Sequence, residues 1–272
     1  MTTLLLHGLG ADRRQPLELL APVVRSVAGD DELVIAPDVR AHGGYLTVGE
    51  PADFALDRLA AEIAATVREQ VEDATGRPLD DSGPLTVLGI SMGAAITLRL
   101  ALDELLPIDR AVFVRPAFDD RSLPDNLRVF PVIGQLLVDA GAAGAAEFRE
   151  REIFHRIEAE SPAGAKGLLT QFTSPDAARR AMRLIEIPRN RAFTSDDELA
   201  RLAPRGIRSL VVAAPRDPVH PVPIAERWAI GLEAPLVMLT ARDDGQAQQN
   251  EVLGRQLARW LEASDARRAK RD

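Results

Sequence analysis

The segment Leu85-Thr-Val-Leu-Gly-Ile-Ser-Met-Gly-Ala-Ala95 constrains what this chain can fold into more than any other stretch. Its first half is an apolar run of the kind that forms a buried strand, and its second half passes at once into a helical pattern. Between them lies Gly89-Ile90-Ser91-Met92-Gly93, the spacing of a nucleophile elbow, in which a serine sits on a sharp, strained strand-to-helix turn. Such a turn tolerates no side chain at position 89 or 93, because a Cβ there would collide with neighbouring backbone. The Ser91 hydroxyl is thereby pushed out above the sheet. The new helix points its free N–H groups toward the same place, so the Met92 amide can donate to a developing oxyanion.

Elsewhere strand patterns alternate with helical ones, as in a mainly parallel sheet of about six strands covered on both faces, an α/β fold. Strands are expected at 3–6, 33–36, 86–90, 111–114, 209–213 and 236–239. Leu56, Leu59, Ala60, Ile63, Val67 and Val71 share one face of a helix that Gly76 stops. The helix after the elbow is expected to reach about residue 106, and a last helix carries Leu253, Leu257, Trp260 and Leu261 on one face. From 118 to 204 the strand signal gives way to short helical patterns broken by Pro131, Gly141, Gly144, Pro162, Pro175 and Pro188. An insertion there falls at the carboxyl ends of the strands, where α/β folds bind ligands, and would form a lid. Within it, Ser174 reads as an N-cap, with Pro175 in the first turn and Ala178, Ala181, Met182 and Ile185 on one face. The expected organisation is a core of 1–117 and 205–264, a helical lid of 118–204, and a disordered basic tail of 265–272.

At 272 residues and 46% hydrophobic, the chain is long enough to bury a full core. A net charge of -8 with 4% aromatic residues gives no basic stacking surface, so nucleic acid is not an expected partner. The absence of cysteine removes disulfides, thiolate nucleophiles and cysteine metal sites. No His-x-His, His-Glu-x-x-His or acidic-ligand pattern calls for a metal, and Gly8-Leu-Gly10 lacks the third glycine of a dinucleotide fingerprint, so no cofactor is expected. Leu4-Leu5-Leu6 is interrupted at once by His7-Gly8, unlike a signal peptide, and no stretch approaches the roughly 20 apolar residues of a membrane span. The expectation is a cytoplasmic protein without membrane attachment, acting on a small molecule.

Four motifs in order resemble the α/β-hydrolase superfamily, and the resemblance covers nearly the whole chain. Leu4-Leu-Leu-His-Gly-Leu-Gly10 is similar to the family's oxyanion-hole turn, which implies that the Leu9 amide is a donor. Ala36-Pro-Asp-Val-Arg-Ala-His-Gly43 is similar to its Asp-x-Arg-x-His-Gly turn. The elbow supplies Ser91 as nucleophile. Ala213-Ala-Pro-Arg-Asp-Pro-Val-His-Pro221 resembles the loop that supplies the acid, here Asp217. Two departures stand out. The first strand leads directly into His7, so the family's two leading strands are expected to be absent, with 33–36 at an exposed sheet edge that invites pairing with a second copy or protection by side chains. The histidine that the family places after the last strand is missing from 240–250, which offers only Arg242, Asp243, Asp244, glutamines and Asn250 among its larger polar groups.

That absence leaves several roles open. Ser91 is either a nucleophile or a relic that keeps the elbow's shape, and the surviving oxyanion-hole amides favour the first. Asp217 either orients a base or caps the helix that starts near Pro221. His220, three residues later, is the best replacement base: the elbow strand and its own strand should lie two positions apart, roughly 10 Å, which an imidazole can bridge. The plainer alternative is a surface-loop histidine. His155 belongs to the insertion, while His7 and His42 occupy positions that shape turns. Arg115 and Arg216 would face the crevice and bind a carboxylate or phosphate, unless they pair with Asp119, Asp120 or Asp217. Three functions fit: a serine-dependent hydrolase of a small ester, thioester or lactone; a ligand-binding protein that keeps the hydrolase pocket without turnover; or a lyase or cyclase that uses only the oxyanion hole.

Overall fold

The computed structural model describes residues 2–268. Six strands, β1 Thr2–Leu6, β2 Leu33–Ile35, β3 Leu85–Ile90, β4 Ile108–Val114, β5 Arg208–Ala213 and β6 Leu236–Met238, form one sheet in the order β2-β1-β3-β4-β5-β6. Every neighbouring pair is parallel. The elbow strand β3 is therefore central and two places from β5. Strand β4 starts three residues earlier than its apolar run announced, because Asp109 and Arg110 interrupt the pattern; Arg110 pairs with Thr86 and Arg208, while Asp109 falls at a register shift. Strand β2 is an edge, as its place in the sequence implied, and at three residues it is a short one, which limits the backbone it offers to another chain.

The two-residue period of the strands divides their side chains between two apolar layers. Leu4, Leu6, Val87, Ala111, Phe113, Val211 and Ala213 face one side; Leu5, Leu88, Ile90, Val112, Val114, Leu210 and Val212 face the other. Helices α1 Arg14–Leu19 and α2 Ala21–Ala28 lie on the second side. Helix α3 Leu56–Thr75 covers the first with the buried stripe expected of it and ends at Gly76, whose φ of 68° is the left-handed conformation that glycine accepts without strain. Helix α4 Met92–Leu102 follows the elbow and stops short of residue 106.

Between β4 and β5 the chain forms α5 Val129–Ala140, α6 Gly144–Arg149, α7 Glu152–Glu160, α8 Pro162–Thr173, α9 Met182–Glu186 and α10 Asp196–Leu199, with α11 Val222–Gly231 and α12 Gln246–Arg268 completing the chain order. Helix α11 joins α3 and α4, and α12 packs beside α2. The helix expected from Ser174 does not form as such. Ser174 ends α8, its hydroxyl donating to Thr170 O, Asp176 takes a φ of 54°, and helix resumes only at Met182. Ala181 is buried as expected, but Ala177 and Leu184 are buried where Ala178, Met182 and Ile185 were expected. The run Asp125–Arg149 is, by length and composition alone, apolar enough to cross a membrane, with an 18-residue window inside it at a mean hydropathy of 1.5. Gly141 at φ 58° breaks it, and Ile133, Leu136, Leu137 and Phe148 bury it in the core. Helix α12 runs through Arg268, so the tail expected from 265 starts inside a helix, and 269–272 lie outside the described residues.

Candidate functional site

At the end of β3 the backbone of Ser91 has φ 54° and ψ -108°, a conformation that a side-chain-bearing residue adopts only when its surroundings impose it. The two glycines show what imposes it. A Cβ on Gly89 would lie 2.2 Å from Gly93 O, and one on Gly93 would lie 2.5 Å from Leu6 O. The turn between β3 and α4 is thus closed against β1 by backbone contact, and Ser91 stays partly exposed at its apex.

The Gly8–Gly10 turn lies beside it. A Cβ on Gly8 would be 3.5 Å from Ser91 Cβ. Gly8 N–H donates to Gln15 Oε1 (2.8 Å) and Gly10 N–H donates to His42 Nε2 (3.1 Å), whereas the Leu9 amide between them has no acceptor among the described residues. Met92 opens α4, where the first amides have no intrahelical acceptor. Leu9 and Met92 therefore offer two unsatisfied N–H groups next to Ser91, the chemistry required to stabilise an oxyanion.

His7 and His42 hold this turn in place. Val39 N–H donates to His7 Nε2 (3.0 Å), and the His7 Nδ1–H donates to Gly8 O (2.9 Å). His42 uses the same pattern, accepting from Gly10 and donating from Nδ1 to Arg40 O (2.8 Å). Each ring has one accepting nitrogen facing a backbone donor, so each is neutral. Burial lowers the pKa of both, that of His42 strongly, with Arg183 adding to the effect there. His155 is exposed on α7.

The loop after β5 supplies what Ser91 lacks. His220 Nε2 is 2.9 Å from Ser91 Oγ, and His220 Nδ1 is 2.9 Å from Asp217 Oδ2. With its proton on Nδ1, the imidazole donates to Asp217 and accepts from Ser91. Asp217 also accepts from the amides of Val219 and His220 through Oδ1, both at 3.2 Å. The carboxylate caps this tight turn with one oxygen and orients the ring with the other; α11 begins later, after Pro221. Burial disfavours the Asp217 anion, but attraction to the imidazolium form of His220, its hydrogen bond, and the charges of Arg115 and Arg242 outweigh that and hold the carboxyl well below the usual carboxylate range.

The two arginines proposed for the crevice part company. Arg115, at the end of β4 with φ 50°, is buried, and its Nη1 is 3.8 Å from Asp217 Oδ2. Asp119 and Asp120 pair instead with Arg121 and Arg227. Arg216 points elsewhere: it is half-exposed and ion-paired with Asp244, on a groove between the β5 loop and α7. Its partner comes from the loop after β6, which local sequence could not reveal.

That loop, 240–250, has another occupation. Asp243 accepts from Ser161 Oγ (2.5 Å) and Ala163 N–H (2.8 Å), and so caps α8 from across the fold. A Cβ on Gly167 would touch Arg242 Nη1 at 3.3 Å. Ser161-Pro162 carries a recognisable helix-start signature, but its carboxylate partner is 82 residues away. Two more arginines escaped notice, Arg180 and Arg183, which line with Arg115 and Arg242 a cleft of about 890 Å³. Burial and the neighbouring Arg180 lower Arg183 to about 10, so it remains charged at neutral pH. In a chain this rich in arginine, nothing local distinguishes these two from solvated ones. Among the described residues no cluster of His, Asp and Glu could hold a metal ion.

The alpha/beta hydrolase family model matches residues 3–266. Among solved structures, the chain is similar to an esterase from Thermogutta terrifontis (19% identity, TM-score 0.64, 97% of this chain and 90% of that one). MenH from S. aureus matches at 16% identity and TM-score 0.65, over 97% of this chain and 94% of that one. The enol-lactonase from Burkholderia xenovorans LB400 matches at 17% and 0.64, over 96% and 90%. At these identities the likeness shows the fold. None of the curated proteins matches the sequence.

Proposed function

The chain belongs to the α/β-hydrolase family, and from that premise we propose that it is a serine-dependent hydrolase of a small ester, thioester or lactone. The observation that carries this is the placement of His220 within hydrogen-bond distance of both Ser91 and Asp217. In the first half-reaction Ser91 Oγ attacks the acyl carbon as its proton passes to His220 Nε2, and the carbonyl oxygen takes the electron pair between the Leu9 and Met92 amides. The tetrahedral intermediate expels the alkoxide or thiolate, which takes the proton from His220, leaving Ser91 acylated. Water then attacks the acyl-enzyme with His220 again as base, releasing the acid and restoring the Ser91 hydroxyl. Asp217 stabilises the imidazolium and fixes the tautomer throughout.

Residues 118–204 serve as the cap that selects substrate. Four ties to the core support this role: Asn190 bridges Leu56 N and Phe54 O, Asn126 donates to Val219 O, Arg183 donates to Ala41 O, and Ser161 bonds Asp243. The alternatives without acyl transfer, ligand binding alone or carbonyl polarisation alone, drew their force from the lack of a base, and the Ser91–His220 contact favours hydrolysis over both. Labelling of the intact protein by a fluorophosphonate, read by mass, tests the proposal. Stoichiometric adduct on the native chain, lost in Ser91→Ala and strongly slowed in His220→Ala, is the expected result. A native chain that stays unlabelled where an ordinary serine hydrolase reacts fully would end it.

A further inference from the structure

Three arginines beside the site are more than nine-tenths buried, with residue exposures of 8% for Arg115, 6% for Arg180 and 3% for Arg183. Each has an Nε without a hydrogen-bond partner among the described residues. Arg183 forms no ion pair there; its Nη1 donates to Ala41 O, an uncharged acceptor. Arg180 reaches only the half-exposed Asp176, at 3.5 Å, and Arg115 shares Asp217 with His220. All three line the same cleft, together with half-buried Arg242, whose Nε donates to Gln246 Oε1. The cleft's three carboxylates do not balance its six arginines: Asp12 pairs with Arg14, Asp38 pairs with Arg13 at 3.8 Å, and Glu18 is exposed to solvent. A buried guanidinium without a counter-charge is destabilising, and a chain with a net charge of -8 has ample carboxylates with which to neutralise one. The missing anion is therefore expected from outside.

The cleft adjoins the reacting groups. It is lined by Gly10, next to the Leu9 amide, and by Arg115, 3.8 Å from Asp217. Resting on the hydrolase reading above, we propose that the substrate carries an anionic group, a carboxylate or phosphate, in addition to the acyl bond that is cleaved, and that Arg180 and Arg183 with Arg115 bind it in this cleft. Planar guanidinium groups with unused N–H donors suit the paired oxygens of either anion.

The test compares two esters of one leaving group, 4-nitrophenyl hydrogen glutarate and 4-nitrophenyl pentanoate, in the full chain. The native protein should favour the acid ester in kcat/KM by about tenfold or more, the range of a charge-assisted hydrogen bond. Arg180→Gln and Arg183→Gln should each erode that ratio, Arg183→Lys should keep part of it, and added salt should shrink it. Equal rates for the two esters in the native chain, or a preference that survives both Gln variants, would overturn the proposal. Calorimetric titration of Ser91→Ala protein with glutarate and with inorganic phosphate separates the two ideas, since it needs no turnover. Binding that Arg180→Gln weakens by about tenfold or more upholds the anion site even if no ester is cleaved, and the tighter anion names the source. Binding of neither anion to Ser91→Ala protein overturns the site.

Discussion

Two loops at the carboxyl end of the sheet contrast in what their side chains hold. The loop after β5 packs an acid and an imidazole into one tight turn, with Asp217 capping the turn and orienting His220 toward Ser91. The loop after β6, where the family resemblance led to the expectation of a histidine, holds α8 through Asp243 and Arg216 through Asp244. With the imidazole on the first loop, the proposed chemistry depends on that loop, and attachment of the helical insertion depends on the second. An imidazole can act from the first loop because it needs only two contacts, one to an acid and one to the nucleophile. A loop two strands from β3 can supply both.

The sharpest way to break this contrast is to remove His220. His220→Ala should lower kcat on the order of a millionfold with little loss of thermal stability, and Asp217→Asn by about ten-thousandfold, since the tautomer is lost but the ring remains. Steady-state kinetics on any ester the native chain cleaves decides it, and a His220→Ala protein within tenfold of native would place the base elsewhere.

The remaining buried histidines give the next test. His7 and His42 both have pKa values below 6.5, so in acid the unfolded chain binds protons that the folded chain refuses. Stability contributed by these rings is complete above 6.5 and falls as pH drops below it, with a slope of up to about 2.7 kcal/mol per pH unit for two protons. Denaturant midpoints measured from pH 8 to 5 should fall accordingly, and His42→Gln should flatten the curve. If either ring instead titrates in the native protein with an ordinary pKa by NMR, it becomes a rival base and the contrast between the loops weakens.

The smallest effect belongs to the second loop. Asp243→Ala removes the acceptor of Ala163 N–H and the partner of Ser161, leaving the Ser161 cap on Gly164 N–H, and should cost about 1 kcal/mol, a drop of a few degrees in Tm, while kcat stays within a few-fold. A collapse of kcat with unchanged Tm would give that loop a chemical role.

How much of this was legible beforehand follows from the range of the forces involved. The elbow was readable because its constraints are local: Gly89 and Gly93 are required by backbone contacts within one turn and with the adjacent strand. Strands followed from contiguous apolar runs buried on both faces, and the stripe of α3 from the period of 3.6 that one buried face imposes. The helix expected at Ser174 failed because Asp176 adopts a left-handed conformation and the insertion buries Ala177 instead of Ala178, so packing overrode a plausible capping pattern. The partner of Arg216 was not legible because Asp244 is 28 residues away.

By itself, then, the sequence determined the parallel α/β sheet, the elbow at Ser91, the Gly8–Gly10 turn and the candidate acid, all of which were read from residues near one another in the chain. Only the tertiary structure decided that His220 meets Ser91 across 129 residues, that Asp243 holds α8 in place of a histidine's chemistry, and that three arginines are sealed beside the site without enough counter-charge. Those outcomes depend on which strands are neighbours and on what burial does to a charge, and neither is a property of a local segment.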